Sequence, residues 1–295
     1  MELRANENKK ILREVNGETY ERYAIKTRFV NVGDDYIDVI REYALPVVKE
    51  GDFISISEKI IALCQKRIVY RDDIHPGFWA KLLCRFVHVT PAGPGAGTPH
   101  KMQLIIMLCG LPRVLFATFC SAVTKLFGIK GVFYQVCGHE VDGIDGLIDY
   151  DISYKEYVNY GILNPENPSG VCNEIYEKLG IKAMIVDACD ISVKMLGKCD
   201  ALELDRATLE ELMRDNPAGQ DDQCTPIILI RKHDPNAVTD TAENEPVSED
   251  SEAENPETES ENTTVDDASA ETEDTTTEDP QNGSENTTEA QETQE

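Results

Sequence analysis

No residue beyond Asp234 has the composition of a packed core, and this divides the chain more sharply than any motif within it. From Pro235 to Glu295 there are 21 Asp and Glu, no Lys or Arg, and no aromatic residue. Such a segment has too little apolar area to offset the entropy of ordering it, and its like charges repel. A disordered, extended acidic tail is predicted over 235–295. All 28 basic residues lie at or before Lys232, so the tail carries −21 of the formal charge of −27 and the remainder only −6. A folded domain is therefore expected over 19–234, preceded by a polar, flexible segment at 1–18.

Several broad classes are disfavoured before any motif is weighed. An acidic body without a basic stripe argues against nucleic acid as a partner. The amino terminus, Met1 to Lys10, has no apolar h-region, so no signal peptide is read and a cytoplasmic protein is expected. The nine cysteines include no Cys-x-x-Cys pair and mostly sit in apolar runs, the usage of reduced, buried thiols. The strongly apolar stretch Met102–Thr124 is broken by Gly110, Pro112 and Arg113 into two charge-free pieces of 11 residues each. Those lengths suit core elements rather than a membrane span, and a central arginine is costly in lipid. Two core helices, or a helix and a strand, are expected there, with no membrane partner. Arg113 would then need an ion-pair partner.

Periodicity and punctuation place the other elements. Tyr20–Val30 reads as a strand, and Gly33-Asp34-Asp35 opens an amphipathic helix with Tyr36, Val39, Ile40 and Tyr43 on one face. Phe53–Ile56 is a short strand, followed by Ser57 as N-cap of a helix through Lys59, Ile60 and Leu63. Thr98 and Pro99 mark the N-cap and first position of another helix, behind a glycine-rich loop that lacks a P-loop ending. A helix over Val171–Leu179 stops at Gly180, and Ile181–Val186 and Thr225–Ile230 are apolar strands. The sum is an α+β fold, a mixed sheet with packed helices, with polar loops adjoining the strands.

The chemistry concentrates between Gly138 and Asp151, where five acidic residues and His139 follow an apolar run, Ile129–Cys137, that reads as a buried strand. A second acidic turn, Asp187 to Asp190, follows the strand ending at Val186. Carboxylates gathered at strand ends suit Mg²⁺ or Mn²⁺, which bind through one or two carboxylates plus substrate phosphates. The expectation is that Asp145 and Asp187 meet in space and share one ion. Asp and Gly also favour turns for backbone reasons alone, which is the competing explanation. His139 reads as a solvated turn residue, and Cys189, between two aspartates, is a poor nucleophile.

This order of features resembles the coenzyme F420-0:L-glutamate ligase (gamma-glutamyl ligase) family. The resemblance is carried by Gly33-Asp34-Asp35, Glu50-Gly51-Asp52 before a strand and a Ser57-Glu58-Lys59 helix start, Gly143-Ile144-Asp145, Leu163-Asn-Pro-Glu-Asn-Pro, and a strand ending in Asp187. It spans roughly residues 20–232. It implies an α+β homodimer that uses GTP (or ATP) and Mn²⁺ or Mg²⁺ to join an amino acid, glutamate, to a carboxylate- or phosphate-bearing small molecule through an amide bond. It also implies that Asp145 and Asp187 hold the metal, and that Ser57, Glu58, Lys59, Gln220 and Asp222 lie at the nucleotide, the last two completing the metal's shell; it singles out no catalytic residue. The chain departs from the family pattern at Leu63, where a lysine is usual, at Ala188, at Leu147 and Ile148, and in its long segment Thr90–Thr124. Lys59, four residues before Leu63 on the same helix face, is placed to substitute. These departures leave a non-catalytic nucleotide- and metal-binding paralogue as the alternative.

Overall fold

The computed structural model describes residues 3–87, 95–147, 155–189, 192–219 and 223–235. In chain order, β1 (Leu12–Val15) and β2 (Glu18–Ile25) form a hairpin, and α1 (Tyr36–Tyr43) leads to β3 (Phe53–Ser57), α2 (Glu58–Cys64) and β4 (Ile68–Tyr70). Five helices follow: α3 (Phe78–Leu83), α4 (Pro99–Cys109), α5 (Leu111–Lys125), α6 (Val132–Cys137) and α7 (His139–Asp142). The chain then returns through β5 (Asp145–Gly146), β6 (Tyr160–Ile162), α8 (Pro168–Leu179), β7 (Lys182–Ala188), β8 (Val193–Lys198), α9 (Arg206–Leu212) and β9 (Ile227–Lys232).

The strands make a six-stranded sheet in the order β1-β2-β9-β3-β7-β8 and a small sheet in the order β4-β6-β5. Within the large sheet β3 and β7 run parallel and the remaining pairs antiparallel. The fold is thus α+β with a mixed sheet. β3 and β9 lie inside the sheet, which is why Phe53–Ile56 and Ile227–Ile230 are buried without alternation. α8 covers β7 and β8 with Val171, Cys172 and Ile175. The helix starts follow the caps: Asp35 accepts from the Ile37 amide at 2.7 Å, and Thr98 from that of Lys101 at 3.2 Å.

Three expectations are corrected. The apolar run Ile129–Cys137 holds a helix, α6, rather than a strand. A short apolar run has no periodicity that separates the two, and no free sheet edge receives it. Leu12–Val15, within the segment expected to be flexible, is the edge strand β1, paired from Leu12↔Glu21 to Val15↔Glu18. Val15 joins the core, and the segment before the strand is tied down by polar contacts: Asn6 donates to the Pro217 carbonyl and to Thr225 Oγ1 at 2.9 Å, and Lys9 Nζ to the Asp215 carbonyl at 2.7 Å. The third concerns the apolar stretch around Gly110. It does form two helices, α4 and α5, bent by 115°. Only α4 is a core helix, since α5 buries just Val114 and Ala117. Arg113 stands exposed, with no ion pair among the described residues. Among those residues no single helix is long and apolar enough to cross a membrane.

Candidate functional site

Parallel pairing of β3 with β7 sets Ser57 opposite Val186, so that Glu58 and Asp187 follow side by side where that pairing ends. The antiparallel β8 places Lys194 across from Asp187. The carboxyl end of a parallel strand pair is open because the chain turns away there, and it is where α/β and α+β sheets gather their polar groups. Ser57 begins α2 without a side-chain hydrogen bond to the helix, so its hydroxyl does not act as the predicted cap.

Asp145 reaches this place from the other sheet. It pairs with Ile162 in β6, which in turn pairs with Ile68 in β4, one turn beyond α2. Two glycines make the approach possible. A Cβ at Gly143 would stand 1.7 Å from Asn164 Oδ1, and one at Gly146 would stand 2.2 Å from the Tyr160 carbonyl oxygen. Gly146 also has φ +74°, a conformation that side chains resist. Asn164, buried from the Leu163-Asn-Pro motif, is thus packed directly under the turn that carries Asp145.

The charges are closely coupled. Asp145 Oδ2 pairs with Lys59 Nζ, and its Oδ1 accepts from the Gly146 amide at 2.7 Å. Burial alone would raise the Asp145 carboxyl, but Lys59, Lys101 and the Gly146 amide together hold it well below the usual carboxylate range. Lys59 also lies 5.4 Å from the centroid of the Tyr157 ring, a cation–π contact. Its burial is outweighed by Asp145, which pushes its pKa upward. Glu58 behaves oppositely. Burial, then repulsion from Asp187 and Asp145, lifts its carboxyl to about 8, and its Oε2 is buried with no hydrogen-bond partner among the described residues. Asp187 is raised by burial and by Asp145, with Lys59 and Lys194 opposing.

Two further lysines complete the electrostatics. Lys101, in the first turn of α4, is only 5% exposed and its ammonium makes no hydrogen bond among the described residues. Burial pulls its pKa down and Asp145 partly restores it. It opens onto a small cavity of about 120 Å³ flanked by Gly95, Ala96, Tyr134, Asp142 and Ile144. Lys194 Nζ reaches Asp142 Oδ2 at 3.0 Å, tying β8 to α7.

Of the residues singled out from sequence, Ser57, Glu58, Lys59, Asp145 and Asp187 are brought into one neighbourhood, while Gln220 and Asp222 lie outside the described residues. Lys101, Lys194 and Tyr157 were not singled out. Thr98 and Pro99 signalled the helix that carries Lys101, but nothing local signals that a lysine will be buried. Among the described residues no three His, Cys, Asp or Glu side chains stand close enough to hold an ion alone. The donor set nevertheless fits a divalent cation held jointly with phosphates. Asp145, Asp187 and Glu58 repel one another, Glu58 has an unengaged buried oxygen, and one or two carboxylates suffice for such an ion.

One consequence is measurable in the fold itself. The Glu58 carboxyl titrates at about 8 in the folded chain against a reference value of 4.5, so the folded state binds the extra proton between those limits. Its stabilising contribution is complete below about pH 4.5 and lost as pH rises to about 8. The melting temperature is expected to fall across that window, and Glu58→Gln to flatten the fall. An unchanged slope in the variant would assign the effect to another group.

Fold and site define an α+β protein with carboxylates and lysines gathered at the end of a parallel strand pair, an arrangement suited to phosphate-bearing substrates. A family model described as F420-0:Gamma-glutamyl ligase matches residues 24–195, more than half of the chain, and the protein belongs to that family of ligases. The match takes in α2, the helical segment, β5 and β7, and ends within β8. A search of curated proteins returned no match.

Proposed function

We propose that this enzyme joins an amino acid, glutamate, to a carboxylate- or phosphate-bearing small molecule through an amide bond, driven by GTP or ATP with Mn²⁺ or Mg²⁺. The observation that carries the reading is the convergence of Glu58, Asp145 and Asp187, from three separate segments, beside Lys59, Lys101 and Lys194. Asp145 and Asp187 would hold the divalent cation, which when bound neutralises charge on the nucleotide's phosphates.

The chain's own groups suit the remaining tasks. Lys59 neutralises phosphate charge, and the Ser57 hydroxyl, not spent on capping α2, is available to donate beside it. Lys101, buried and with no hydrogen bond from its ammonium among the described residues, receives the carboxylate of the acceptor. That carboxylate attacks the terminal phosphorus, and the nucleoside diphosphate leaves with the electron pair of the broken P–O bond. The amine of the amino acid then attacks the acyl phosphate, expelling inorganic phosphate and losing a proton. Glu58, with its carboxyl near the operating pH, is suited to take that proton.

Calorimetric titration of GTP and ATP in the presence of Mn²⁺, followed by phosphate release with and without L-glutamate and a carboxylic-acid acceptor, tests the reading. Nucleotide binding and amino-acid-dependent release are expected. Failure of both nucleotides to bind would overturn it. Binding without turnover would instead favour a non-catalytic paralogue, the reading supported by Leu63, fully buried in the core where the family carries a lysine.

A further inference from the structure

The segment between Ile74 and His139 is the least like the rest of the chain. In a protein with 55 acidic residues, these 66 positions contain none, and they carry six of the Lys and Arg. Five of the six, Lys81, Arg85, Arg113, Lys125 and Lys130, are exposed, and the sixth is Lys101. Within this segment α5 is packed on one side only. Val114 and Ala117 face the satellite core built from α3, α4 and α6, while Phe116, Phe119 and Val123 face solvent at a spacing of three to four residues. The exposed apolar run continues through the following turn with Leu126, Phe127 and Ile129. Phe116 and Phe119 are 61% and 66% exposed, and Leu126 and Phe127 83% and 76%. An isolated exposed leucine needs no explanation, but a continuous aromatic and aliphatic face marks a surface that is covered in use.

We infer that this face of α5 and its following turn rests on an anionic lipid bilayer, lying in the interface without crossing it. Charge complementarity decides the occupant. Phe116, Phe119, Leu126 and Phe127 are flanked by Arg113 at one end and Lys125 and Lys130 at the other, the pattern of an interfacial helix whose apolar side enters the acyl boundary under basic anchors. A second copy presenting the same face would oppose basic ends to basic ends with no acid between them. The acidic tail has the charge but no aromatic residue, so it matches the lysines and not the phenyl rings. The same surface accounts for the exposed Arg113, which has no ion pair among the described residues: an anionic headgroup supplies one.

Flotation of the full-length chain with vesicles tests this without relying on activity. Vesicles of phosphatidylcholine and phosphatidylglycerol in equal parts are expected to carry the protein upward at physiological salt, and phosphatidylcholine alone to carry little. Replacing Phe116, Phe119 and Phe127 together by Ser should weaken the partition on the order of a hundredfold. Lys125→Gln and Lys130→Gln should each weaken it about fivefold on anionic vesicles only. No flotation of the wild type on anionic vesicles would overturn the inference. So would light scattering that shows a dimer converted to monomer by the triple Ser variant, which would give the face to a second copy.

Discussion

Asp145→Asn is expected to lower the rate of amino-acid-dependent phosphate release on the order of a thousandfold or more while leaving a folded protein. The size follows from how many groups share this one carboxylate. Lys59 pairs with its Oδ2, the Gly146 amide donates to its Oδ1 at 2.7 Å, and Lys101 feels its charge from α4. An amide in its place keeps the shape and removes the charge. Lys59 and Lys101 then lose the carboxylate they share, and the neighbourhood loses a ligand for the divalent ion. Lys59 would lose its strongest upward influence, so its pKa should fall from its present raised position. The same pairing makes the wild-type fold acid-sensitive. A carboxyl held below its unfolded value contributes stability above that value, which is lost as pH falls through the folded pKa. The readouts are the steady-state rate, Mn²⁺–nucleotide affinity by calorimetry, and the melting curve. A variant with wild-type rate and affinity would remove Asp145 from the site.

Gly146→Ala is the second large effect, and it acts on geometry rather than charge. The new Cβ would stand 2.2 Å from the Tyr160 carbonyl oxygen and 3.0 Å from that of Tyr157, both backbone atoms of the strand and turn that hold β5 in place. A non-glycine residue at φ +74° adds its own strain. Together these should cost about 3 kcal/mol, measured by urea unfolding, since the backbone must shift. Gly17→Ala supplies the control. Gly17 has φ +80° but nothing within 4 Å of a built Cβ, so its variant pays for conformation alone, about 1 kcal/mol. The difference between the two isolates the close approach of β5 to β6. Because Asp145 immediately precedes Gly146, the displacement should also depress catalysis. Equal costs for the two variants would show that the small sheet yields without strain.

Much of the frame is legible in the sequence, and for local reasons. Asp35, Thr98 with Pro99, and Gly180 each satisfy or terminate a helix end through their own side chain or backbone freedom. The starts of α1 and α4 and the end of α8 therefore stand where those residues announce them. The apolar runs of β3, β7 and β9 are strong because the strands lie inside the sheet. The elements that escape notice are weak by the same measure. β4 and β6 have three residues each and β5 only two, too few to show a period. β1 is a four-residue edge strand with one buried side chain, Val15, too little to leave an apolar pattern.

The sequence by itself determined that Asp187 would stand at the carboxyl end of an apolar strand and that the tail's composition sets it apart from the body; the Gly138–Asp151 acids follow the helix α6 instead of the strand expected there. It could not determine that Lys59 would take Asp145 as its partner, that Lys194 would sit opposite Asp187, or that Lys101 would be buried. The first joins positions 86 residues apart and the second crosses from β7 to β8, and they depend on the register of β7 with β3 and β8 and on the close approach that Gly143 and Gly146 allow. Capping and periodicity act within a few residues and can be read in a string. Charge coupling depends on distances between separate segments, and only the packed molecule sets those distances.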